Sequence, residues 1–148
     1  PGVFALVGSV FTLLAAIVFG PVPGMTAAAL ASVPTVVAWG HPLAVPGLVL
    51  EAGAVGWMVR RGRSALGADL RYWLVLGVPL SLVLSRWYLG LPAHLVWAVA
   101  LKQVGNGLFA VMTALVLWKH GGQGGPWLWG GTIACAVIGA VFVNVCLV

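Results

Sequence analysis

Apolar residues run along this chain in long unbroken stretches. Six stand out, at residues 3–19, 25–39, 43–59, 70–84, 95–118 and 127–148. Strands of a membrane barrel alternate apolar and polar positions over about ten residues. These runs do not alternate, so the pattern predicts helices. A bilayer-spanning helix takes about 20 residues, so six spans would use roughly 120 and leave roughly 28 for loops. The expectation is an all-α membrane protein, a compact bundle of about six transmembrane helices with short loops, forming a single domain over residues 1–148.

The breaks between runs carry the turn residues. Gly20-Pro21-Val22-Pro23-Gly24 reads as a turn, because glycine and proline both interrupt a helix. The second run is short and holds Pro34, so it either spans or re-enters. Gly40-His41-Pro42 is a tight linker. Arg60, Arg61 and Arg63 open a basic loop that extends to Asp69. Pro79 lies inside the fourth run, and a Gly-rich linker from Lys119 to Pro126 precedes the sixth.

Composition narrows the class. The chain is 62% apolar and 6% charged, against about 25% charged in a soluble domain. That excludes a cytosolic enzyme, a disordered tail and a disulfide scaffold, and makes the lipid bilayer the first partner. The net charge of +5 reflects scarce acids, seven Lys and Arg against two Asp and Glu. No basic block suits nucleic acid. If all six runs span, Arg60, Arg61, Arg63, Arg71 and Lys119 share one side and Arg86 takes the other. The positive side is cytoplasmic, which points to a multi-pass protein of the bacterial inner membrane with both ends of the chain outside. Trp39, Trp57, Trp73, Trp87, Trp118 and Trp127 lie near expected span ends, as an aromatic belt does. Cys135 and Cys146 are about 16 Å apart along one helix, too far to bridge, and read as packing residues. The chain begins at Pro1 and ends inside an apolar run, which reads as a piece of a longer protein.

Two ionisable residues fall inside the runs. Glu51 and Lys102 each lie roughly 10–12 Å below the outer boundary, so an ion pair between them is expected. Gln103 and Asn106 follow Lys102, with Asn106 one turn on. His41, Thr35, Ser81, Ser85, Arg86 and Asn144 belong to the same outer half. Together they suggest a polar pocket open to the outside. The same residues also suit a purely structural role in fixing helix register, or a proton or ion path.

Recognisable catalytic chemistry is missing. Asp69 falls on the inner side while His41 and His94 are outer, which argues against a catalytic triad. The three histidines have no metal spacing and sit poorly for haem. No H-E-x-x-H, phosphate loop or nucleotide fingerprint occurs. The expectation is a non-enzyme with no metal and no cofactor.

An ordered string of residues points to a family. It comprises Phe19-Gly20-Pro21-Val22-Pro23-Gly24, Val33-Pro34-Thr35, Ala38-Trp39-Gly40-His41-Pro42, Glu51, Gly56-Trp57, Tyr72-Trp73, Gly77-Val78-Pro79-Leu80, Lys102-Gln103 and Asn106-Gly107. The string resembles the N-terminal multi-helix sensory region of bacterial hybrid histidine kinases and GGDEF diguanylate cyclases. It covers roughly residues 18–114. The Gly-Pro-x-x-Gly turn is also similar to that of LytS-type five-helix receptors and of the S components of vitamin transporters. The resemblance implies a further span, a periplasmic sensor domain and kinase or cyclase output domains in the same chain. It points to His41, Glu51, Lys102, Gln103 and Asn106. Members often carry a second Asn soon after Asn106, where this chain has Ala110, which puts any contact of that second Asn in doubt.

The function expected from residues and resemblance is a membrane sensory domain of a bacterial signalling protein. A small ligand would bind in an outward-facing pocket of Glu51, Lys102, Gln103, Asn106 and His41. The alternatives are an S component of a vitamin transporter and a small structural subunit of a membrane complex.

Overall fold

A computed structural model describes residues 7–40 and 42–121. Over these residues the chain forms five helices and no strand. The helices are α1 (Val7–Phe19), α2 (Pro21–Trp39), α3 (Ala44–Arg60), α4 (Ala65–Tyr88) and α5 (Ala93–Gly121). The sixth expected span, with Cys135, Asn144 and Cys146, lies outside the described residues, as does His41. Two of the five helices, Ala65–Tyr88 and Ala93–Lys119, are long and apolar enough to cross a membrane. Only 28% of the apolar window of each is buried inside the protein, so most of that surface faces outward rather than into a core.

Two helix starts differ from the expectation, for local reasons. The Gly20–Gly24 stretch is not a turn that breaks the chain twice. Gly20 alone breaks it, at φ 97°, and α2 then begins at Pro21. Prolines in a first turn lack only N–H groups that have no helical acceptor anyway, and their fixed φ suits a helix. Four residues earlier, this start makes α2 a helix of 19 residues. The helix continues through Pro34, flanked by Ser32 and Thr35, whose hydroxyls donate to the Ala29 and Ser32 carbonyls at 2.7 and 2.6 Å. The fourth helix likewise starts early. Ser64 caps it, accepting the Gly67 N–H at 3.2 Å, so Asp69 sits in the helix and not in the basic loop.

The helix α4 is not uniform. Its regular turns at Ala65–Tyr72 and Val78–Val83 are each followed by a wide π turn, at Trp73–Gly77 and Leu84–Tyr88. The first π turn closes with the Val78 N–H on the Trp73 carbonyl, just before Pro79, which has no N–H to give.

Packing rests on small residues. A Cβ on Gly24 would lie 2.5 Å from the Ala16 Cβ, and one on Gly56 would lie 2.8 Å from the Pro21 nitrogen and 3.0 Å from the Ala16 carbonyl. Backbones of α1, α2 and α3 therefore approach directly, the mode by which helices associate when no water drives them together. Below this contact an apolar core gathers Leu13 and Leu14 of α1, Val55 of α3, Ala68 of α4 and Val111 of α5. Arg60 donates to the Phe19 carbonyl at 2.7 Å, stitching the end of α3 to the end of α1. The Gly20 connection and the Arg60 loop thus share one end of the bundle.

Gly56→Ala is expected to lower stability by about 1–3 kcal/mol, since its Cβ meets backbone that cannot yield. Gly105→Ala, with nothing within 4 Å of the new Cβ, serves as the neutral control. Thermal unfolding of both in detergent checks this, and equal midpoints would contradict it.

Candidate functional site

The hairpin of α3 and α4 brings distant residues together. Glu51 and Trp73 each lie eleven residues from Gly62 in the connection, so they meet across the pair. Trp73 donates its indole N–H to Glu51 Oε1 at 3.0 Å. One turn outward, Tyr72 donates its hydroxyl to the Gly47 carbonyl at 2.8 Å, and the two rings stand edge to face at 5.4 Å. Asp69 precedes Tyr72 and Trp73 by three and four residues, on the same face of α4. Its carboxyl comes to lie beside both Glu51 and Trp73.

This places the chain's only two acidic residues against one another. Glu51 is 2% exposed and Asp69 0%. Neither oxygen of Asp69 accepts a hydrogen bond, and the nearby Trp73 N–H is given to Glu51. Among the described residues no basic side chain pairs with either acid. Burying a charge costs several kcal/mol unless it is paired, and two adjacent carboxyl groups without a counter-charge do not both ionise.

The expected Glu51–Lys102 ion pair is not formed. Equal depth along two helices does not imply facing sides. Gly107 is the α5 residue that meets Glu51 and Trp73, and any Cβ there would overlap the Trp73 Nε1 and Glu51 Oε1 atoms. Lys102 is five residues away, about 140° around the helix, and points elsewhere. Gln103 and Asn106 are on the near side. They line a cavity of about 30 Å³ together with Glu51, Trp73, Gly107 and Ser9 of α1. The Asn106 Nδ2 is buried there without an acceptor. A second cavity of about 80 Å³ shares Ala44, Gly47 and Trp73 with the first, and extends past Ser81 and Ser85 to Leu89 at the far end of α4.

Compared with known proteins, the chain matches no family model, no curated protein and no solved structure.

Three of the five expected site residues, Glu51, Gln103 and Asn106, thus meet at one cavity. Lys102 is half-buried and outside it, and His41 lies outside the described residues. Thr35 bonds its own helix, and Arg86 holds the Leu91 carbonyl at 2.9 Å, so neither contributes. Two residues go beyond the expectation. Trp73 is 6% exposed and hydrogen-bonded, a site residue and not part of an aromatic belt. Asp69 was concealed by the early start of α4, although Ser64 is a capping residue and the symmetry about Gly62 pairs Glu51 with Trp73 one turn further on.

No three or more His, Cys, Asp or Glu among the described residues are grouped to hold a metal. What the arrangement offers is a small, mostly apolar cavity edged by the Glu51 carboxyl group and two carboxamides. The unpartnered Asn106 Nδ2 gives it a free hydrogen-bond donor.

Trp73→Phe keeps the ring and removes the donor to Glu51. Leaving a buried carboxylate oxygen unpartnered is expected to cost about 1–3 kcal/mol. Trp97→Phe, at a position 56% exposed, should be neutral. Comparison of the two unfolding midpoints checks the bond, and a neutral Trp73→Phe would contradict it.

Proposed function

We propose that the chain is the sensory domain of a signalling protein in the bacterial inner membrane, crossing it several times and binding a small ligand at the cavity between α3 and α5. The observation that carries this reading is the meeting of Glu51, Gln103 and Asn106 at one cavity, beside a second buried acid, Asp69, that has no hydrogen-bond partner. A purely structural cluster would be expected to satisfy its own hydrogen-bonding groups. The resemblance to the multi-helix sensory regions of histidine kinases and diguanylate cyclases supports the same reading. So does the largely outward-facing apolar surface of α4 and α5.

In this reading the Arg60 end of the bundle is cytoplasmic, by its positive charge. The ligand approaches from the opposite end, past the Ser81–Ser85 cavity and Trp73. The domain binds and does not catalyse; kinase or cyclase domains would carry the output. The cavity near Glu51 holds about 30 Å³, so an organic ligand fits only if Trp73 or α5 moves aside. That requirement is itself the signal. A ligand shifts a two-state equilibrium by its differential affinity for the states, and the open state alone has room.

The test is a thermal-shift screen of the detergent-purified chain against amino acids, amines, vitamins and nucleobases, beside Glu51→Gln. Ligand binding to the native state raises the midpoint by mass action. The expected result is a saturable rise that Glu51→Gln abolishes. No rise with any compound, or a rise that the substitution leaves unchanged, would overturn the reading.

A further inference from the structure

Arg86 stands apart from the other arginines. It lies twenty-one residues beyond Ala65 in α4, about 32 Å along a helix. A span that starts at the Arg63–Ser64 boundary therefore carries Arg86 through a hydrocarbon core of about 30 Å to the headgroups of the far side. Among the described residues no carboxylate pairs with it, since the chain's only two acids are buried beside Trp73. One guanidinium N–H goes to the Leu91 carbonyl at 2.9 Å, which ties the side chain to the connection between α4 and α5. The rest of the five-donor fork is left for a further acceptor. Beside it runs an open groove of about 360 Å³, walled by Leu82, Val83, Val96 and the rings of Trp87 and Trp97, with Arg86 as its single charged lining residue.

We propose that this groove binds an anionic phospholipid of the outer leaflet, with the phosphate on Arg86 and the upper part of an acyl chain along the apolar walls. The proposal rests on the reading of the chain as a membrane-spanning protein, and is independent of the ligand at Glu51. Charge supports it first. A planar guanidinium matches two phosphate oxygens at once, and here it has no carboxylate to compete for it. The groove also takes in the beginning of α5, whose first turn holds no acid, so the partial positive charge of that helix end adds to the attraction. Shape supports it next. A free phosphate ion would meet Arg86 and leave the apolar walls uncovered, whereas a phospholipid covers both. The aromatic residues agree. Trp87 is 83% exposed and Trp97 56%, and tryptophans at this level of a span lodge among headgroups and upper chains.

The experiment is native mass spectrometry of the whole chain, released from detergent micelles that hold equimolar phosphatidylglycerol and phosphatidylcholine with identical acyl chains. The expected result is that the first lipid retained is phosphatidylglycerol, by several-fold. Arg86→Gln and Ala93→Phe each remove that preference, and an excess of inorganic phosphate leaves it unchanged. Ala93 lines the groove, so the second variant crowds it and keeps the guanidinium; it decides the matter should Arg86→Gln fail to fold. No preference in the wild type, a preference retained in either folded variant, or displacement by inorganic phosphate would overturn the inference. Flotation with phosphatidylcholine vesicles separates this failure from that of the reading beneath it. A chain that floats yet prefers neither lipid sinks the inference and leaves the membrane reading standing, and a chain that does not float, with or without phosphatidylglycerol in the vesicles, overturns both.

Discussion

Two carboxyl groups buried side by side without a basic partner set the terms for the rest of this molecule. A chain with only two acids in 148 residues holds both in its interior, eighteen positions apart in sequence and neighbours in space. Lost hydration of both groups opposes that arrangement. It persists because the surrounding elements over-determine it. The α3–α4 hairpin fixes the meeting of Glu51 with Trp73, Tyr72 ties the same pair of helices to Gly47, and Gly107 lets α5 close over both.

The small residues and the π turn serve that closure. Gly24 and Gly56 draw α1, α2 and α3 into backbone contact, and the shared core below Glu51 holds α5 against them. A π turn begins at Trp73 itself. Such insertions in an α-helix recur at functional sites, and here the wide turn separates the residue that holds Glu51 from the outer half of α4, which lines the larger cavity. Trp73 is therefore both the partner of the acid and a lining residue of both cavities.

Much of this was legible in the residues, and the exceptions have physical reasons. Unbroken apolar runs located all five helices, because an apolar surface that faces outward leaves no alternation to misread. The start of α2 was missed because Pro21 and Pro23 act as helix starters in a first turn and as breakers elsewhere. The polar meeting at Glu51, Gln103 and Asn106 followed from depth. The pairing of Glu51 with Lys102 did not, since depth along a helix carries no information about the direction around it. Asp69 was hidden by three arginines close before it, which made a helix turn look like a loop.

Glu51 is held either by Trp73 or by Lys102. Double-mutant cycles of unfolding free energy decide it, one combining Glu51→Gln with Trp73→Phe and the other combining Glu51→Gln with Lys102→Met. Residues in contact couple by about 0.5–3 kcal/mol, and independent ones add within about 0.3–0.5. The account predicts coupling of Glu51 to Trp73 and additivity with Lys102. Coupling to Lys102 with additivity at Trp73 would restore a buried ion pair and contradict the site described above.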